Sequence, residues 1–219
     1  MLVHAGLAVH FIFALWYLRY GIWIRVTPEE AKKRIKDVGG PHNLIQFLTV
    51  WILFLQAYFY AISTVNDLIN ISFVQALLDY VFAALVFPCS IFVTVMFWTL
   101  VRIDPKAIFE GNLNDVLPSW FNHSVHTMPA ISAVLEVLSY PHVYPSSMSG
   151  ITTLQIFAAT YITCCFYSNT LSGTWAYPFL NKLSMPKRTL FFAASHLVLA
   201  IFYHCGNLIN YIVWGLLFS

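Results

Sequence analysis

Residues 73–101 read FVQALLDYVFAALVFPCSIFVTVMFWTLV, and Asp79 is the one charged side chain among them. A bilayer's hydrocarbon core is about 30 Å thick and takes about 20 helical residues at about 1.5 Å each, so this run is long enough to cross. A barrel strand would alternate apolar and polar residues with period two, and no such alternation is present. Five more apolar segments lie outward from it in both directions: Leu2 to Ile24, His42 to Val65, Leu117 to Leu138, Ile151 to Leu171, and Thr189 to Trp214. The expected fold is therefore all-α, a polytopic integral membrane helical bundle with six transmembrane helices in a single domain, 1–219. Composition agrees: 9% of the residues are charged and 59% hydrophobic, against about 25% charged in an average soluble domain. A water-soluble globule, a disordered chain and a collagen-like repeat are all excluded.

Punctuation between the segments is ordinary stop chemistry. Gly39, Gly40 and Pro41 precede the second segment, Asp104 and Pro105 follow the third, Pro141 and Pro145 follow the fourth, and Pro178 and Pro186 precede the sixth. Pro88 falls inside the third segment, where its missing N–H and bulky ring predict a kink. The first segment lacks a basic leading region and is too long for a signal-peptide core, so it is expected to remain as the first helix.

The 11 basic residues orient the bundle. Arg19 and Arg25 end the first helix, and Lys32, Lys33, Arg34 and Lys36 follow it. Arg102 and Lys106 follow the third helix, while Lys182, Lys187 and Arg188 precede the sixth. With six crossings all of them fall on one face, and the positive-inside rule assigns the loops after helices one, three and five to the cytoplasm. The basic first loop, interleaved with Glu29, Glu30 and Asp37, reads as a topology determinant, not a nucleic-acid site. The sequon Asn70, Ile71, Ser72 falls on the opposite side, too near the membrane to favour its use. Cys89, Cys164, Cys165 and Cys205 lie in expected helices without CxxC spacing, which predicts free thiols.

Polar residues inside a membrane are costly, so each is a functional candidate. Counted from His42 and Leu117 at about 1.5 Å per residue, Thr49 and His126 both lie about 10 to 14 Å below the basic face. His196 reaches a similar level, whereas Asp79 and Glu136 approach the opposite face. The densest polar patch is Asn122, His123, Ser124, His126 and Thr127. On a helix, His123 and His126 share a face, as do Asn122 and His126. That suits a positioned general base with a second polar group holding it. No carboxylate at the same depth completes a metal cage, so no metal and no cofactor are expected. Structurally, the same histidines can simply hydrogen-bond neighbouring helices. A lone Thr in such a helix usually bonds the carbonyl four residues back, here that of Ile45, and its hydroxyl is a poor nucleophile without an adjacent base. Neither a GxSxG elbow nor an HExxH motif occurs in the chain.

Several stretches in order along the chain carry a family likeness: Phe47, Leu48, Thr49 after the Gly39, Gly40 pair; Phe87 and Pro88; Pro118, Ser119, Trp120, Phe121, Asn122, His123, Ser124, Val125, His126, Thr127; His142 with Tyr144 and Pro145; and Gly173 to Leu180, reading GTWAYPFL. Asn207 to Tyr211 close the pattern. The chain resembles the androgen-induced and androgen-dependent TFPI-regulating proteins, integral membrane threonine hydrolases that cleave fatty acid esters of hydroxy fatty acids. The PxWxNHxxHT string is the specific part of the likeness. The resemblance implies that Thr49 is the nucleophile and His126 the essential histidine. It implies a branched fatty acid ester from the membrane as substrate, the lipid bilayer as surroundings, and the plasma membrane or endoplasmic reticulum as location. Asn122 and His123 belong to the shared string; either can orient His126 or donate to an oxyanion, and the sequence does not choose between them. Readings from other classes are a bundle that binds lipid without chemistry, a haem electron carrier using His10, His126, His196 and His204, and a membrane acyl transferase.

Overall fold

In the computed structural model the described residues are 1–21, 44, 46–108, 117–173 and 175–217. They form helices and turns with no strand among them. We number the helices α1 (Leu2–Trp16, continued by a π-turn Tyr17–Gly21), α2 (Leu48–Ile69), α3 (Ser72–Ile103), α4 (Ser119–His126), α5 (Met128–Ser139), α6 (Ser147–Ser172), α7 (Pro178–Asn181) and α8 (Met185–Leu216). Among the described residues, five stretches are long and apolar enough to cross a membrane: Leu2–Tyr20, α2, α3, α6 and α8.

The expected fourth segment, 117–138, is present as two helices. Pro129 sits in the first turn of α5. It has no N–H to offer the carbonyl of Val125 and its ring crowds that carbonyl, so the helix breaks at Thr127, whose backbone sits at φ −115 and ψ −48. Gln56 and Ser132 both donate to the carbonyl of Pro129 itself, at 3.1 and 2.9 Å, which ties α2 to the first turn of α5. Pro88 acts differently. The helix absorbs its missing donor in a π-turn, Phe82–Val86, one residue before Phe87 and Pro88, so α3 continues to Ile103. The helix ends are closed by local chemistry. Asn70 takes the left-handed conformation (φ 51) after α2 while Asn66 accepts from the Ile71 amide, and Gly173 (φ 72) closes α6.

The start of α2 departs from expectation. The apolar run begins at His42, but the helix begins at Leu48, after a short 3₁₀ turn at Gln46 and an extended Phe47. His42 and Ile45 lie outside the described residues.

Two clusters form the interior. One joins α1, α2, the π-turn of α3, α4 and α5 around Phe11, Tyr60, Phe82 and Phe121. The other joins α2, α3, α6, α7 and α8 around Ile52, Leu154, Leu180 and Tyr203. The loops after α3 and α6 meet at one end, where Lys182 lies 3.6 Å from Asp104 and Arg188 donates to the Leu180 carbonyl while covering the Trp175 ring. Arg25, Lys32, Lys33, Arg34 and Lys36 lie outside the described residues. All four cysteines are free thiols.

Candidate functional site

His126 ends α4 and is buried, its ring stacked flat on Phe97 of α3 at 3.5 Å between centroids. Its Nδ1 faces two oxygens of Asn122, the backbone carbonyl at 3.1 Å and Oδ1 at 2.8 Å. A carbonyl only accepts, so Nδ1 carries a proton, and in the neutral ring Nε2 is left with a free lone pair. Asn122, itself buried, therefore sets both the tautomer and the tilt of the ring.

His123 is placed elsewhere. It is exposed, stacks on Trp98 at 5.3 Å, and holds Nδ1 3.0 Å from Thr127 Oγ1. Trp98 Nε1 donates to the same hydroxyl at 3.1 Å. The two histidines share a helix but not an environment, so Asn122 and His126 form a unit that His123 does not join.

Thr49 is the second residue of α2 and half-buried. The depth count from His42 put it about two turns into a helix; with α2 beginning at Leu48 it lies in the first turn, closer to the end that carries the basic loops. α2 and α4 are in contact, so Thr49 and His126 sit on touching helices, and no hydrogen bond joins them. An apolar groove between α2 and α3, lined by Leu55, Tyr58, Phe59, Ile62, Val74, Leu77, Leu78 and Val81, includes neither residue.

A family model described as FAR-17a/AIG1-like protein matches residues 5–211. The chain belongs to this family. It is 32% identical to the androgen-dependent TFPI-regulating protein of Mus musculus over 214 residues, covering 94% of this chain and 92% of the relative. The Homo sapiens protein of that name gives the same identity and coverage. The human androgen-induced gene 1 protein is 29% identical over 183 residues, covering 77% of each chain. No solved structure matches. In this FAR-17a/AIG1-like chain the string Pro118 to Thr127 is the cap and body of α4. The GTWAYPFL stretch forms the turn after α6 and most of α7, with Thr174 outside the described residues.

The opposite end of the bundle holds a second polar assembly. Asp67 Oδ2 lies 2.7 Å from His4 Nδ1, and His4 Nε2 lies 3.1 Å from both Glu136 oxygens. Glu136 Oε1 lies 3.5 Å from His142 Nε2, and His142 Nδ1 lies 3.0 Å from Asp79 Oδ1. Carboxylates and imidazoles thus alternate along a chain that ties α1, α2, α3, α5 and the turn before α6 together. Gln75 extends it from Asp79 to Asn66, and the Met1 amino group meets Asp67 at 2.8 Å. No described Lys or Arg lies among these groups. Burial works against charge on His142, yet the Asp79 and Glu136 carboxylates more than offset it and hold its pKa above the usual 6.5. Among the described residues no three His, Cys, Asp or Glu side chains are arranged to hold a metal ion.

Sequence reasoning saw Asp79 and Glu136 approach this end but missed His4, Asp67 and His142 as their partners. One signal was available: Asp67, Asp79 and Glu136 are the acidic residues that stand apart from the basic loops. The remaining described histidines have separate surroundings. His10 packs edge-on to Phe11, His196 hydrogen-bonds Gln155, and His204 is exposed beside Tyr203.

Proposed function

We propose that this protein is an intramembrane hydrolase of fatty acid esters of hydroxy fatty acids, with Thr49 as nucleophile and His126 as base. The observation that carries the reading is the Asn122 clamp on His126 Nδ1, which leaves Nε2 as a base in a buried, aromatic setting on a helix that touches the one opened by Thr49. The resemblance to threonine hydrolases supplies the reaction.

His126 Nε2 takes the Thr49 hydroxyl proton as Oγ1 bonds to the ester carbonyl carbon. The tetrahedral intermediate collapses, the ester C–O bond breaks, and the same proton passes from His126 to the departing alkoxide, releasing the hydroxy fatty acid. Water then attacks the Thr49 acyl ester, giving one proton to His126, which returns it to Thr49 Oγ1 as the second fatty acid leaves. Both side chains are neutral at rest, which suits a position where a buried carboxylate would be costly. The substrate carboxylate sits near the basic loops, on the cytoplasmic side of the plasma membrane or endoplasmic reticulum, while the branched ester lies at acyl-chain depth.

The test is a kinetic comparison of purified wild type, Thr49→Ala and His126→Ala on a branched fatty acid ester. Each variant is expected to lose at least about a hundredfold in kcat. Full activity in Thr49→Ala would end the nucleophile assignment, leaving a lipid-binding bundle or a different enzyme.

A further inference from the structure

The turn that leads into Thr49 is gripped by side chains more than 100 positions away. Tyr161 of α6 and Tyr177, in the turn before α7, bring their hydroxyls to 3.3 Å of each other. Both phenol oxygens accept from the Leu48 amide, at 3.1 and 3.3 Å. Tyr161 donates to the Gln46 carbonyl at 2.9 Å, Ser168 donates to Gln46 Oε1 at 2.9 Å, and the Tyr177 ring meets Phe47 edge-on.

Leu48 is the first residue of α2, and the first amides of a helix have no carbonyl of their own helix to bond. The capping position is Phe47, whose side chain makes no cap hydrogen bond. Two distant phenols therefore do the work of an N-cap. Phe47 is extended and Gln46 lies in a 3₁₀ turn, so the helix does not by itself dictate how its first turn is rolled or how deep it starts. The bonds to Leu48 and Gln46 do.

We infer that Tyr161 and Tyr177 are positioning residues for Thr49, their hydroxyls fixing the first turn of α2 so that Thr49 is presented to His126. This rests on the hydrolase reading above. A nucleophile displaced by about 1 Å costs about a hundredfold in rate, so the two hydroxyls act on turnover without touching substrate. They do so as neutral groups: burial pushes the Tyr177 pKa up to about 12, out of the range in which the enzyme works.

Tyr161→Phe and Tyr177→Phe keep the rings and remove only the hydroxyls. In the purified full-length protein acting on a branched fatty acid ester, Tyr161→Phe is expected to lower kcat about tenfold with KM within about twofold. Tyr177→Phe, which gives up a longer bond, should shift kcat in the same direction by less. The pH profile of kcat should keep its shape in both, because neither phenol exchanges a proton with substrate. Wild-type kcat in both variants, with Thr49→Ala inactive, would overturn the positioning role and leave the hydrolase reading intact. A rise in KM at constant kcat, or failure of both variants to fold, would reduce the pair to binding or to structure and overturn it as well. Full activity in Thr49→Ala would remove the hydrolase reading itself.

Discussion

His126 has one ring nitrogen committed to Asn122 and the other available, and that division is the work of a single buried amide and a single carbonyl. Replacing Asn122 by Ala leaves the backbone carbonyl in place but removes the shorter contact, so the ring gains freedom to tilt and to change tautomer. The expected outcome is a loss of about tenfold in kcat with little change in KM, read by steady-state kinetics on an ester substrate. The same substitution at His123 should be far milder, because that ring is exposed and engaged with Trp98 and Thr127. The pairing of Asn122 with His126 was legible from their spacing of four along a helix. The exclusion of His123 was not: a spacing of three also places side chains on one face, and the burial of one ring against Phe97 depends on where α3 passes.

At the scale of elements, close helix packing rests on small residues. A Cβ added to Gly206 of α8 would stand 2.5 Å from the Phe87 ring and 2.7 Å from the Tyr144 hydroxyl. Helices in membranes gain much of their association from such close approach, because apolar burial alone does not favour protein over lipid. Gly206→Ala is therefore expected to cost about 1 to 3 kcal/mol by overpacking, visible as a lower thermal unfolding midpoint in detergent. Gly6 has no neighbour within 4 Å of a built Cβ and serves as the control, where Ala should be tolerated. Element positions were largely legible in the sequence. The long runs at 73–101, 151–171 and 189–214 correspond to α3, α6 and α8, each extended by a few residues at its ends. The break at Thr127 departs from the single segment expected over 117–138: Pro129 ends one helix and opens another there, whereas Pro88, in a comparable apolar run, does not end its helix. What separates the two is that a π-turn absorbs the lost hydrogen bond before Pro88 and a break absorbs it before Pro129.

The whole molecule is polarised, with described basic residues at one end and the alternating carboxylates and imidazoles at the other. His142, in the turn between α5 and α6, faces Asp79 from α3 and Glu136 from α5. His4 and Asp67 continue the chain from α1 and α2, Phe82 stacks on its ring, and Asn210 of α8 bonds its backbone. Its pKa is held above 6.5 in the folded protein, so its protonated form contributes stability that is fully present below about 6.5 and is lost as pH rises through the folded value. Thermal unfolding in detergent should therefore show a midpoint that falls as pH is raised from the slightly acid side through neutral, and His142→Gln should flatten that slope. A midpoint equally steep in the variant would show that other groups carry the dependence. The sequence by itself determined that this chain is a helical membrane protein and where its apolar runs and the charges between them lie, because hydropathy and charge act locally and can be read along the chain. Only the tertiary structure decided that Thr49 opens a helix instead of lying inside one, and that Tyr161 and Tyr177 cap it. It also decided that His4, Asp67, Asp79, Glu136 and His142 share one buried chain. Those outcomes depend on hydrogen bonds between residues far apart in sequence, and a buried donor takes whichever partner the packing of other helices brings within reach.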